Sequence, residues 1–333
     1  MNDGSMDNSY TIKKFASSRL HPEIPSVRNA LHHAREISIS PRSPIRYSIC
    51  TLVNKKREYA EMMQSFIQAG FDPAFCEFLY LDNSVTNTFD AYRGYNLFLN
   101  RAQGEYIILC HQDILLLDDR LEDLERCIEE LEARDPHWAL LGNAGGVALG
   151  TTACRITDID GDHNSGIFPT PVTTLDENFI VVKNAANLSL SHDLQGYHLY
   201  GTDICLIARL LGYRAWVVNF NLYHKSRGNC DQHFKSLKRE LIQKYRSAFQ
   251  GRYVETTCTR FYLSGSWLQN SLYGLGSVRS SVKRWNRFKR KWANSFRKRR
   301  NSLRRLSRQG SVAPAVTGPE RRAQEKVTGP GAL

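Results

Sequence analysis

The chain predicts an α/β fold, a mostly parallel sheet with helices on both faces. Three observations carry this expectation. Short apolar runs alternate with amphipathic stretches from Tyr47 to Leu141. One of them, Tyr106-Ile107-Ile108-Leu109-Cys110, is continuously apolar, as suits a central strand covered on both faces. That run stops on His111-Gln112-Asp113, polar groups where the strand must emerge. In open α/β sheets ligands bind outside the carboxyl ends of the strands. An Asp at such an end can hold a divalent cation and, through it, a phosphate. Taken alone, the tripeptide is better read as an ordinary turn with Asp113 solvated; its surroundings change the balance.

The elements follow in order. Tyr47 to Val53 is a strand, and Glu58 to Ala69 a helix stopped by Gly70. Phe75 to Leu81 is a second strand, with Asp82-Asn83-Ser84 at its end. Asp90 to Arg101 is helical, and Gln103-Gly104 closes it before the third strand, Tyr106 to Cys110. Leu121, Leu124, Ile128 and Leu131 recur at helical spacing, so Leu121 to Ala133 is an amphipathic helix. Trp138 to Leu141 is a fourth strand, running into Gly142-Asn143-Ala144-Gly145-Gly146. Right-handed crossovers put all four strand ends on one edge. That edge is expected to gather Asn54, Asp82, His111, Gln112, Asp113 and the glycine-rich segment. The glycines serve either a tight turn or a close approach of backbone to a ligand. Beyond them, Thr151 to Thr174 reads as loops or hairpins. Phe179 to Lys183 is a short strand, Asp203 to Leu211 a helix stopped by Gly212, and Ala215 to Val218 a further strand.

Composition bounds the rest. With 333 residues the chain holds one large domain or two modest ones. No window offers the roughly 20 apolar residues of a spanning helix, and Met1 to Leu20 lacks an apolar signal core. The eight cysteines form no CxxC pair, so neither a cysteine zinc site nor a disulfide framework is expected, and a reducing cytoplasm fits. The net charge of +12 is unevenly placed. Arg279 to Arg308 holds 14 Lys and Arg and no acid, whereas residues 1–278 hold 28 basic and 31 acidic residues. A near-neutral body bears a strongly basic tail.

Three segments resemble the family-two-like glycosyltransferases, in the branch whose acidic motif reads His-Gln-Asp. They are Ala102 to Ile114, Gly196-Tyr197-His198-Leu199-Tyr200-Gly201-Thr202-Asp203-Ile204-Cys205-Leu206 with Gly212-Tyr213, and His224-Lys225-Ser226-Arg227-Gly228. Their order and approximate separation match, and the likeness spans about Tyr47 to Asn229. It implies a GT-A-like (Rossmann-related) fold and inverting transfer of a sugar from a nucleotide diphosphate, assisted by a divalent metal, Mn²⁺ or Mg²⁺. A metal suits the chemistry, because the leaving diphosphate gains charge as the glycosidic bond breaks.

The resemblance implies site residues one by one. Asp113 matches the metal carboxylate, and His111 stands where the commoner motif has its first acid. There His111 serves the metal or a phosphate, or is a strand-end histidine bonded to backbone. Asp82 matches the acceptor of nucleoside hydrogen bonds, followed by Asn83; an Asx turn explains it too. Asn54 and Gln112 line the donor pocket, and Asn96 aligns with an asparagine near the donor or is a polar residue on an exposed helix face. His224 matches a downstream histidine that joins the metal or diphosphate, and Lys225 and Arg227 add charge against phosphate or form a solvated basic loop. The catalytic base is the departure, for its usual position holds Gly201. Asp203 takes the role by a local shift, or is a carboxylate favoured by the helix dipole. Asp193 and His198 are substitutes in the same loop.

In the tail, Trp285, Phe288, Trp292 and Phe296 are spaced by three, four and four, with Leu303 and Leu306 continuing the stripe. Basic residues fill the rest. This reads as an in-plane amphipathic helix on an anionic membrane surface, residues 279–308, with nucleic-acid binding and a solvated cationic tail as alternatives. The expected organisation is a polar arm (1–45, with a short helix across Ser26 to Glu36), a GT-A-like domain (46–260), a basic amphipathic segment (261–308) and a disordered tail (309–333). The expected function is a cytoplasmic glycosyltransferase, peripheral at the inner face of the membrane. Its partners are a nucleotide-sugar donor and a glycan or lipid-linked acceptor. The alternatives are a non-catalytic nucleotide-sugar or glycan-binding scaffold, favoured by Gly201 and His111, and a nucleic-acid-binding protein led by the tail.

Overall fold

The computed structural model describes residues 44–226 and 231–309. The expected arm up to residue 43 with its Ser26–Glu36 helix, Arg227 with Gly228 and Asn229, and the tail from residue 310 lie outside the described residues. Among the described residues, fifteen strands and seven α-helices follow in order: β1 (Tyr47–Val53), α1 (Lys56–Gln68), β2 (Cys76–Asp82), α2 (Ala91–Arg101), β3 (Tyr106–Cys110), β4 (Ile114–Leu115), α3 (Leu121–Arg134), β5 (Trp138–Gly142), β6 (Ala144–Ala148), β7 (Thr151–Asp158), β8 (Gly161–Ser165), β9 (Thr170–Val172), β10 (Thr174–Leu175), β11 (Phe179–Lys183), α4 (Tyr200–Leu210), β12 (Arg214–Val217), β13 (Tyr223–His224), α5 (Gln232–Phe249), β14 (Arg252–Glu255), β15 (Arg260–Leu263), α6 (Trp267–Gly274) and α7 (Gly276–Gln309).

The main sheet has seven strands in the order β2-β1-β3-β11-β5-β12-β9. Five of the seven, β2, β1, β3, β5 and β12, run in one direction, and β11 and β9 run against them. The expected α/β sheet, mostly parallel with helices on both faces, is therefore what forms. One face is covered by α1 and α3. Tyr59, Met62 and Phe66 from α1 join Leu124, Ile128 and Leu131 from α3 over Tyr47, Ile49, Ile108, Phe179 and Val181 in one buried cluster. The i, i+4, i+7 spacing of the α3 residues places all three on that cluster. The other face takes α2 and α4: Gly94 of α2 lies against Leu52 and Leu81, and Gly201 of α4 against Leu175 and Ile180. Side-chain alternation along β11 explains the division, with Phe179 and Val181 on one side and Ile180 on the other.

Local signals set the helix ends. The Asp90 side chain accepts from Arg93 N and caps α2. Gly70 follows α1 at φ +102°, a conformation that glycine adopts without a Cβ penalty. At the amino edge of the sheet, Arg46 bonds Glu125 (2.8 Å) and Glu105 (2.5 Å), and Tyr47 Oη donates to Glu125 Oε1 (2.6 Å). Charges at that edge are spent on holding the sheet to α3.

A second sheet, β10-β6-β7-β13-β4, has β8 paired to β7. The Thr151–Thr174 segment expected as loops or hairpins supplies the β7–β8 hairpin and β9. The glycine-rich segment is mainly strand rather than a tight turn. The chain passes from β5 into β6, and a Cβ at Gly145 would lie 2.2 Å from the Thr174 carbonyl oxygen of β10. The close approach is between two strands.

The chain divides into two compact units, up to Lys238 and from Arg239 onward; the limit at residue 260 expected from composition falls inside the second. That unit contains the antiparallel β14–β15 hairpin. Tyr253, Tyr262 and Tyr273 cluster there, with ring centroids 5.0 and 4.6 Å apart along the series, and α6 is capped by the Ser266 side chain. Helix α7 spans the basic segment as 34 helical residues. Among the described residues, no helix is long and apolar enough to cross a membrane.

Gly145→Ala is expected to cost about 1–3 kcal/mol, because backbone stands where the methyl must go. Gly265→Ala, with open space around it, should be nearly neutral. Urea unfolding midpoints of the two variants against the parent chain test the contrast.

Candidate functional site

The carboxyl ends of β1, β2, β3 and β5 share one edge, as their common direction requires. Because β11 is antiparallel to β3 and β5, its amino end arrives at that same edge. His111 is the first residue past β3, and its N–H donates to the Asn178 carbonyl (3.0 Å), just before β11. Two residues on, Asp113 leads into β4, which pairs antiparallel with β13 so that Ile114 faces His224. Lys225 N donates to the Asp113 carbonyl (2.9 Å). Sheet pairing thus sets His224 beside Asp113, although 111 residues separate them in the chain.

Ligand atoms of His111, Asp113 and His224 all lie within 4.8 Å of one another. His224 Nε2 is 3.4 Å and His111 Nδ1 3.9 Å from Asp113 Oδ1. Two imidazoles and one carboxylate suit Mn²⁺, which tolerates imidazole nitrogen beside oxygen, better than Mg²⁺, which demands oxygen. Hydrogen bonding fits His111 for this. Tyr200 Oη donates to the Glu177 carbonyl (2.8 Å), which can only accept. The hydroxyl then accepts from His111 Nε2–H (3.1 Å). That leaves the lone pair on Nδ1, toward Asp113, which is the tautomer a metal ligand needs.

Electrostatics agree with this arrangement. Burial opposes ionisation of Asp113, but bonds from His224 and Ser226 and the nearness of His111 hold it well below the usual carboxylate range. Burial keeps the His111 ring below its ordinary pKa and so favours the neutral form. Burial acts the same way on His224, but Asp113 outweighs it and raises that ring.

The other expected site residues take varied posts. Gln112 Oε1 accepts from the backbone N–H of Asn54 and of Lys55 (3.0 Å each), and its amide nitrogen donates to Asn54 Oδ1. Asn54 and Gln112 are thus locked together at the start of α1. Asp82, at the exposed end of β2, accepts from Ser84 N (2.9 Å) and pairs with Lys56 (2.8 Å). The Lys56 ammonium, then the Ser84 bonds, hold its carboxyl well below the usual range. Asn83 is buried and closes the following loop, donating to the Phe89 carbonyl (2.7 Å) and accepting from Phe89 N (3.0 Å). Asn96 is buried too, contrary to the alternative reading of an exposed helix face. Its amide bonds both backbone groups of Leu190, at 3.0 and 2.7 Å. The Lys225 ammonium reaches Glu61 on α1 (2.5 Å).

The expected base lies inside the protein. Asp203 is 0% exposed, and its two oxygens accept from Ser191 N (2.8 Å) and Ser191 Oγ (2.7 Å). Helix α4 begins at Tyr200, so Asp203 sits within its first turn and faces the core. Gly201 has no room for a side chain, since a Cβ there would lie 2.4 Å from the Leu175 carbonyl oxygen. His198, a substitute, packs edge-on against Phe234 and lies 3.7 Å from Asp231; Asp193 is exposed in the same loop.

Three groups at the edge escaped the sequence reading: Asp176, Glu177 and Tyr200. Asp176 accepts from Asn178 N (3.0 Å), and its charge favours the protonated forms of His111 and His224. Glu177 is pushed up to about 8 by burial and by Asp176, against the pull of hydrogen bonds from the Gly201 and Leu199 backbone. The trace in the sequence is an Asp-Glu pair just before an apolar strand. Its meaning depends on the direction of that strand.

No family model matches the chain. It is 37% identical over 234 residues to a Fuscovulum blasticum protein described as "ATP synthase subunits region ORF 6", covering 68% of this chain and 94% of that one. Among solved structures it is similar to S. aureus TarS 1-349, with a TM-score of 0.44 and 15% identity, over 61% of this chain and 66% of that one. The same TarS fragment has been crystallised with UDP-GlcNAc. A mannosyltransferase from Pyrobaculum calidifontis, in complex with GDP-Man and Mn²⁺, aligns with a TM-score of 0.41 and 12% identity, over 66% of this chain and 69% of that one.

Tyr200→Phe removes the acceptor that fixes the His111 tautomer while keeping the ring. It is expected to weaken Mn²⁺ binding about 10–100-fold, the usual cost of losing a partner behind a metal ligand. Titration calorimetry with Mn²⁺ on the two proteins tests this.

Proposed function

The chain belongs to the family of the Fuscovulum blasticum ORF 6 protein, and we propose that it is a glycosyltransferase acting on a nucleotide-diphosphate sugar. The transfer goes to a hydroxyl of a glycan or lipid-linked acceptor, with inversion at the anomeric carbon. The observation that carries this reading is the His111, Asp113 and His224 group at the carboxyl edge of the parallel strands. An open α/β sheet binds its ligand at that edge, and a donor diphosphate is a ligand that both needs and brings a divalent cation. The His-Gln-Asp likeness in the sequence points the same way.

In this reading His111, Asp113 and His224 hold Mn²⁺, which would offset the charge that develops on the departing diphosphate. Asp82, exposed and held ionised by Lys56, accepts hydrogen bonds from the nucleoside. Asn54 and Gln112 form the floor of the donor pocket, already bonded to each other. Asn83 and Asn96 act through the backbone they clamp, the loop to Phe89 and the segment at Leu190. A scaffold that binds nucleotide sugar without turnover is the second reading, favoured by the burial of Asp203 and the glycine at 201.

We also assign the basic helix α7 to an anionic membrane surface. Trp285, Phe288, Trp292 and Phe296 are all more than half exposed on it. Aromatic residues at helical spacing among cations fit a helix lying in the headgroup region. Transfer to a lipid-linked acceptor would then take place at that surface.

Two measurements test these assignments. UDP, GDP, dTDP and CDP, each with and without Mn²⁺, are expected to give a metal-dependent rise in Tm for one nucleotide, absent in Asp113→Ala. No rise with any of the four would sink the donor site. For the helix, cosedimentation with phosphatidylserine vesicles is expected, falling at least tenfold with Trp285→Ser/Trp292→Ser. Equal binding by the double variant would remove the membrane assignment.

A further inference from the structure

We propose that Glu177 is the general base of the transfer, taking the proton of the acceptor hydroxyl. The inference rests on the glycosyl-transfer reading of the same site. Its ground is the placement of the loop between β10 and β11. The Asn178 carbonyl holds the His111 N–H, and the Glu177 carbonyl holds Tyr200 Oη, which bonds the other side of the same imidazole. The backbone on either side of the Glu177 side chain is thereby tied to His111.

The side chain itself turns to the start of α4. Its carboxylate accepts from the backbone N–H of Leu199 and Gly201. The sequence resemblance places a base at the opening of α4, and the helix's own residues cannot supply one. Gly201 has no space for a side chain, and Asp203 points into the core and bonds Ser191. The Glu177 carboxylate, brought from the loop before β11, is bonded at that opening. Glu177 as a whole residue is only partly buried.

The groups facing Glu177 are Asp176 from its own loop, Tyr200 and Cys205 from α4, and Tyr95 from α2. Burial and Asp176 push its carboxyl up to about 8, in the range where a base both exists unprotonated and accepts a proton readily. In the step, the acceptor oxygen forms a bond to the anomeric carbon and its proton passes to a Glu177 oxygen. The bond from that carbon to the diphosphate oxygen breaks, and its electron pair leaves with the nucleoside diphosphate.

Glu177→Gln separates this role from helix capping. The amide keeps an acceptor oxygen for the Leu199 and Gly201 N–H groups but cannot take a proton. The assay is release of nucleoside diphosphate, with water as acceptor and Mn²⁺ present, from sugars carrying UDP, GDP, dTDP or CDP. Expected for Glu177→Gln are a kcat at least about 100-fold lower, an unchanged metal-dependent nucleotide shift, and loss of the rise in rate through about pH 8. Glu177→Asp should recover part of the rate. The proposal is overturned if Glu177→Gln turns over within threefold of the parent, or if it loses the nucleotide shift as well. A parent chain that binds nucleotide with Mn²⁺ but releases none from any sugar overturns it too, leaving the donor site standing. Absence of any nucleotide shift in the parent overturns the transfer reading instead.

Discussion

β11 enters the main sheet between β3 and β5 and runs against both, and this reversal decides what the carboxyl edge contains. A parallel strand there would deliver its last residue, Lys183, to that edge. The antiparallel one delivers its first residues and the loop before them. Asn178 then receives the His111 N–H, and Tyr200 spans from Glu177 to the His111 ring. The position and tautomer of His111 both follow from where β11 begins. The apolar run Phe179–Val182 is buried on both faces and admits no other seat without exposing four side chains.

The two edges of the sheet treat charge differently. At the amino edge Arg46, Glu105, Glu125 and Tyr47 neutralise one another in short bonds. At the carboxyl edge the acids Asp113, Asp176 and Glu177 gather around two histidines. Burial and the neighbouring Asp176 raise the Glu177 carboxyl, whereas the two histidines hold Asp113 ionised. A cation is the natural complement of such a group, which links the electrostatics of the edge to the reading of its function.

Much of this was legible in the sequence. β1, β3 and β11 have the bounds read from their apolar runs, and α1, α2 and α3 begin and end within two residues of expectation. Burial on both faces writes itself as an unbroken apolar run, and an amphipathic helix as a 3.6-residue period, so these elements need no tertiary information. The family resemblance also named His111, Asp113 and His224, which the fold brings within 4.8 Å of one another. The edge was not legible where it depends on strand direction, which leaves no mark on composition. Hence Asp176, Glu177 and Tyr200 were missed. Asp203 reads as a base or a helix-opening acid because its bonds to Ser191, which draw it into the core, are tertiary and leave no sequence signal. Gly142 to Gly146 reads as a turn or a close approach to a ligand because glycine in a strand gives the same signal as glycine in a loop.

The amide of Gln112 carries a kinetic consequence. It bonds Asn54 and the N–H groups that open α1, so the end of β3 and the end of β1 form one braced unit. Asn83 and Asn96 do the same for the loops reaching Phe89 and Leu190. Conformational freedom at this rim is surrendered when the chain folds, before any ligand arrives. Any ligand that binds at this rim would meet a surface with little left to order, so its capture would carry a smaller entropic toll and its arrival rate would be set by encounter and charge more than by loop rearrangement.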